Sequence, residues 1–491
     1  MTGGLRHLGL PVSRARVPGR PSRARRAAFA LGMLAVFLQF LISANTLTWM
    51  GIDYDQVGGN PLVKLHPATY ILVFAAFLAL FVESPACSGL VRVVRATPGL
   101  AAFLFLVPLC AFYSIASVGF SGAAIYIESY FAAGLLAVAL EGGTDRQKRA
   151  VGKVVLAFAL LNVAISVWES LTQTHLIPLQ IGDLPNIDLK EGADEFRGAA
   201  LYAHPLTGAF ATVLAIYLLL EMRTGALRTA AAFTVLVIGL LSFGGRMALV
   251  TAIAFLTVAA IVALFRGLAT RRLNLGMLSA LVAGGLVLIP LILALVATTD
   301  LGDRILSHLY FDDSADVRNT QWLVLNHLDL RDILFGVSPT RLNVLKYQIG
   351  LAAETTDIEN FWLLMFLNLG SIGFLVFLAA LIMFLLHLGN MVSTPFGWML
   401  LASAIAIDST SNSLGRKSVD LCFVVACMVA MSGYRSLRPA PAAVPQARRG
   451  IGLTGFRYPG PAQPDPAPRR TVFSRLRPSR LSPTPLAGTQ S

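Results

Sequence analysis

Charge is what this sequence has least of. Asp, Glu, Lys and Arg make up 13% of its 491 residues, against about 25% in soluble domains. With 56% hydrophobic residues and a mean hydropathy of +0.69, the chain is excluded from the soluble globular classes. It reads as an all-α polytopic membrane protein. Cysteine is also scarce. Cys110, Cys422 and Cys427 fall within apolar runs and Cys87 lies just past one. No pair has zinc-like spacing, so neither a disulfide framework nor a metal site is expected. Acidic residues are outnumbered, 26 to 39, giving a net charge of +13. That excess does not indicate a nucleic-acid partner, because the basic residues gather in the two tails and in short loops, as the positive-inside rule requires.

What is there is a series of apolar runs. Twelve are long enough to cross a bilayer: 28–49, 67–83, 99–118, 120–140, 150–168, 204–221, 227–243, 246–265, 275–298, 361–387, 396–412 and 418–434. A helix needs about 20 residues for this. Arginines in the tail before residue 28 and in alternate loops, such as Arg92, Arg146 and Arg271, place both termini in the cytoplasm. The first run, long and without a small-residue cleavage signature, reads as an anchor. The domain reading is a basic tail, 1–27, a membrane domain, 28–435, and a Pro/Arg-rich tail, 436–491, expected to be disordered and to touch anionic lipid. No internal repeat stands out. The long loops, 169–203 and 299–360, fall on the extracytoplasmic side rather than in the centre, unlike a two-halved transporter.

Several basic residues break the charge rule by lying on that outer face: Arg197, Arg246, Arg304, Arg318, Arg331 and Arg341. "EFRGAALYAHPLTGAF" puts Arg197 at the end of a loop and His204-Pro205 at a helix start, where the dipole favours anions. His204 also suits a cap. In "SFGGRMALV", Gly244 and Gly245 would leave the turn open to a phosphate beside Arg246. The segment 314–328, within "SADVRNTQWLVLNHLDLRDILFGVSPTRL", reads as a helix with Val317, Trp322, Leu325 and Leu328 on its apolar side. In "ETTDIENFWLLMFLNLGSIGF", Glu359 and Asn360 stand where the chain re-enters the bilayer. Phe361 and Trp362 suit an interfacial belt, and Gly370 and Gly373 permit close packing or a bend. Glu128 lies inside the fourth run, about 12 Å below the outer face at 1.5 Å per residue. An intramembrane carboxylate is a functional candidate or the structural partner of a cation.

The order of these motifs resembles the bacterial O-antigen polymerase and ligase superfamily. The closer likeness is to its exopolysaccharide-polymerase branch, where "HPLT" and "FGGR" have similar counterparts. The likeness covers about residues 195–380. It implies a GT-C-like helical architecture with a long helical periplasmic loop, in the bacterial inner membrane. It also implies a metal-independent, inverting glycosyltransferase that joins repeat units carried on undecaprenyl pyrophosphate. In that reading Arg197, Arg246 and Arg318 hold the pyrophosphate, and Glu359, Glu128 and His204 are the candidate catalytic groups. No cofactor is implied. The partners are the lipid-linked oligosaccharide, membrane lipids, a flippase and a chain-length regulator. The alternatives are a ligase that moves a glycan to another acceptor and a flippase or transporter of the lipid-linked unit. Ligases often carry a histidine just before the late re-entrant helix; here that place reads "DIEN", residues 357–360.

Overall fold

The computed structural model describes residues 22–52, 54, 63–83, 85–178, 196–222, 224–269, 320–351, 358–410 and 413–435. The expected span at 275–298, Arg304, Arg318 and the Pro/Arg-rich tail lie outside the described residues. Every element among the described residues is helical. Seven helices there are long and apolar enough to cross a membrane, and three shorter apolar helices accompany them. The protein is a polytopic membrane protein, all-helical among the described residues.

In chain order the elements are α1 (Arg23–Leu41), α2 (Ala44–Trp49), α3 (Pro67–Phe81), α4 (Ser88–Ala96) and α5 (Pro98–Val118). A broken helix follows: α6 (Phe120–Ile125), a π-helical turn (Tyr126–Phe131) and α7 (Ala132–Glu141). Next come α8 (Asp145–Thr172), α9 (Pro205–Met222), α10 (Ala226–Phe243) and α11 (Arg246–Ala269). After a 3₁₀ turn (Trp322–His327) lie α12 (Leu330–Phe335), α13 (Pro339–Gln348), α14 (Phe361–Val392), α15 (Pro395–Thr410) and α16 (Asp420–Ser432).

Burial separates the central helices from those that face lipid. The windows Gly122–Glu141 and Pro205–Met222 are each 83% buried, whereas Pro98–Ser117 and Phe361–Val392 are 33% buried. Without a polar face to read, sequence alone cannot make that distinction. Helix α9 is enclosed by α8, α10, α15 and α16. Small residues permit the close approach. A side chain at Gly208 would strike the Phe243 ring at 2.4 Å, and one at Gly239 would strike Val163 at 2.3 Å. Phe105 and Phe112 project outward from α5 into the zone a bilayer would fill.

Four expectations change. The apolar run 28–49 is two helices, because Ser43 forms a capping box with Thr46 and starts α2 afresh. The helix expected over 314–328 is α-helical at Thr320 and Gln321 and then tightens into 3₁₀ winding over Trp322–His327. At three residues per turn, Gln321 and Val324 face inward, while Trp322 and Leu325 are exposed. Phe361 is buried against Phe377 rather than placed in a belt. Gly245 is not left open for a ligand: a side chain there would meet Ala209 Cβ at 2.3 Å. Gly244 supplies the left-handed cap of α10, at φ 67°.

Candidate functional site

One end of the bundle collects the ends of α1, α8, α10 and α15 and the starts of α3, α9, α11, α14 and α16. The segment 196–204 crosses this end, and buried polar groups fix its backbone. Gly198 N–H donates to Ser242 O at 3.3 Å. Ala199 and Ala200 N–H donate to Glu169 Oε2 at 2.7 and 2.8 Å. Leu201 N–H donates to Asn162 Oδ1 at 3.0 Å. Asn45 in α2 donates to Ala203 O at 2.8 Å. A side chain at Gly198 would sit 2.3 Å from Ser166 Oγ, which explains the small residue after Arg197. Arg197 and Arg246 thus flank one contact, since Gly198 holds Ser242 and Arg246 follows the same turn.

His204 completes this corner. Its Nδ1 accepts the Leu206 amide at 3.2 Å, so the ring caps α9 and its neutral form carries the proton on Nε2. The residue is exposed to solvent on one side, while the surrounding chain crowds the ring. Removal from bulk water, reinforced by Arg197 and then Arg416, pushes its pKa down to about 4. At neutral pH it is an uncharged N–H donor beside two guanidinium groups.

Arg416 is the residue that the sequence reading missed. It stands on the short connection between α15 and α16 and is an electrostatic neighbour of both His204 and Lys346. Lys346, on α13, is buried, and its pKa is lowered by that burial and then by Arg416. One clue was present: Arg416 and Lys417 lie in a loop assigned to the outer face, against the charge rule.

The π-helical turn explains how that loop is held. Its extra residue per turn presents Glu128, Ser129 and Tyr130 in succession. Ser129 Oγ donates to Arg416 O at 2.7 Å and accepts Ser418 N–H at 2.9 Å. Tyr130 OH donates to Leu414 O at 2.6 Å. Glu128 is 3% exposed and accepts from Tyr54 OH and from His66 N–H, both at 2.9 Å. Lys417 donates to Tyr54 O at 2.6 Å and covers the Tyr54 ring at 4.4 Å. The carboxylate lies within the field of that lysine. Glu128 therefore ties α3 and the loop to the core.

The late motifs meet nearby. Gln321 Oε1 accepts the Glu359 amide at 2.9 Å, joining "NTQW" to "DIEN". Val337 N–H donates to Leu367 O at 2.6 Å, and Gly336 and Gly370 touch backbone to backbone. Gly370, at φ 64° and ψ 177°, kinks α14. Phe335 O accepts from Tyr113 OH of α5. Trp362 Nε1 donates to Ser409 Oγ at 2.7 Å, fixing the start of α14 to the end of α15. Glu359 is half-buried at this entrance.

Of the six residues expected in a site, Arg197 and His204 are electrostatic neighbours and Arg246 belongs to the same corner. Glu359 lies with the late motifs, and Glu128 lies beneath the Arg416 loop. Arg318 lies outside the described residues. Cationic side chains gathered at helix N-termini suit a phosphate-bearing ligand. In comparisons with known proteins, the chain matches no family model and no curated sequence.

Proposed function

We propose that the protein is a polysaccharide polymerase. It would join undecaprenyl-pyrophosphate-linked repeat units at the outer face of the bacterial inner membrane, with both termini in the cytoplasm and twelve spans in a GT-C-like arrangement. The observation that carries this reading is the placement of Arg197 and Arg416 beside His204 at the start of α9, with Lys346 of α13 beside Arg416 in turn. Arg246 stands nearby at the start of α11.

The chemistry follows from that charge. An acceptor hydroxyl attacks the anomeric carbon of the donor sugar. The bond from that carbon to phosphate oxygen breaks, and the electron pair leaves with the pyrophosphate. Guanidinium groups grip phosphate oxygens as a fork, and their attraction grows as the leaving group gains charge. His204 Nε2–H adds a neutral donor. Displacement from the opposite face inverts the anomeric centre. The hydroxyl proton passes to a carboxylate, and Glu359, half-buried at the start of α14, is more open to a substrate than Glu128, which is 3% exposed. No metal or cofactor enters.

A strain lacking the gene tests the proposal. It is expected to accumulate single lipid-linked repeat units and to lose long polymer. A strain that keeps long polymer contradicts polymerisation. A finished polymer held on the lipid carrier favours a ligase, and units trapped on the cytoplasmic face favour a flippase.

A further inference from the structure

Glu169 lies in the last turn of α8, is fully buried and was not singled out by the sequence pattern. Its two oxygens reach both ends of the long loop that follows. Oε1 accepts Leu176 N–H at 2.7 Å, just after α8 ends. Oε2 accepts Ala199 and Ala200 N–H at 2.7 and 2.8 Å, just before α9 begins. His175 Nδ1 lies 3.8 Å from Oε2, and its ring stacks on Phe196, the residue before Arg197, at 4.4 Å. One carboxylate thus closes a loop from residue 176 to residue 199.

The backbone it holds is strained. Ala200 has φ 53°, in the left-handed region that a side chain disfavours. Such a residue persists only where its surroundings over-determine it. Here the Ala200 amide points at the buried carboxylate, and the next amide is taken by Asn162. A surface capping role would need neither complete burial nor three amides from two distant segments.

We infer that Glu169 is a positioning residue that clasps the loop and thereby aims Arg197 at the pyrophosphate. This rests on the proposed reading of Arg197. Glu169→Gln keeps the size but replaces one oxygen with an NH₂ group, which faces amide donors and cannot accept from them. Transfer is then expected to fall about 10–100-fold, as for a small misplacement of a binding group. The loss falls on kcat/KM for the donor, and the acceptor KM stays unchanged.

The test combines hydrogen exchange with a mutant cycle on the full chain in nanodiscs. In Glu169→Gln the amides of Ala199 and Ala200 are expected to exchange at least about tenfold faster than in wild type. In Arg197→Ala they remain protected. Adding Glu169→Gln to Arg197→Ala should cost no further activity, because both act through one group. Unchanged exchange in Glu169→Gln overturns the clasp. Faster exchange with fully additive activity losses overturns the positioning role. Full activity of Arg197→Ala instead defeats the pyrophosphate reading, and the exchange data then decide the clasp alone. Should Glu169→Gln not accumulate, the shorter Glu169→Asp can engage only one side of the loop and gives the same exchange readout.

Discussion

His204 combines two properties: it caps a helix and it stands among the cations Arg197 and Arg416. Its lowered pKa makes a signed prediction. The unfolded chain takes a proton on this ring near pH 6.5, while the folded protein resists until about pH 4. Between those values the unfolded state binds more protons, so stability is fully present above pH 6.5 and declines as pH falls toward 4. Thermal unfolding in detergent should show that decline in wild type and a shallower one in His204→Asn, since asparagine still caps but does not titrate. Parallel curves would show that the histidine is ordinary. Arg246 offers a second residue-scale test. Lysine preserves its charge and length but lacks the planar fork. Arg246→Lys should therefore accumulate unpolymerised lipid-linked units at normal protein levels. Wild-type chain length from that variant would leave Arg246 an interfacial anchor.

At the scale of elements, the kink in α14 joins the late motifs. A side chain at Gly370 would lie 2.4 Å from Gly336 N and from Leu334 O, which are backbone atoms that cannot swing aside. Gly370→Ala adds a left-handed strain to that clash, at a cost of about 2–4 kcal/mol. It should lower the unfolding temperature and detach α12 from α14. Gly373→Ala, whose new methyl would meet Leu369 Cβ at 3.1 Å but no backbone atom and no left-handed φ, should be much milder. Equal effects would contradict the backbone apposition. The sequence made the bend at Gly370 legible but not its partner at Gly336, because that contact joins segments more than thirty residues apart. The starts of α9, α11 and α14 could be read from His-Pro, Gly-Arg and Glu-Asn. The π-helical turn could not, since "YIESYF" carries no breaker and its winding is settled by the loop it grips. Glu169 looked like one more residue near the end of an apolar run, and only tertiary hydrogen bonds distinguish it.

For the whole molecule, every element of the candidate site must share one side of the membrane. The hydrogen bonds from Asn45 to Ala203 and from Ser129 to Arg416 already bring them to one end of the bundle. Reporter fusions after Lys190 and after Asp332 should behave as extracytoplasmic, and fusions after Arg149 and Arg272 as cytoplasmic. A cytoplasmic result at Asp332 would separate the late motifs from the outer face. The most direct measurement of the central claim is polymerisation by the purified protein in liposomes supplied only with undecaprenyl-pyrophosphate-linked repeat units. The account predicts products of many units, an inverted linkage at each junction, and activity that persists in a chelator. In the same assay Glu359→Gln should slow transfer by about 10²–10⁴-fold. A folded, reconstituted protein that leaves those units unjoined would contradict the account.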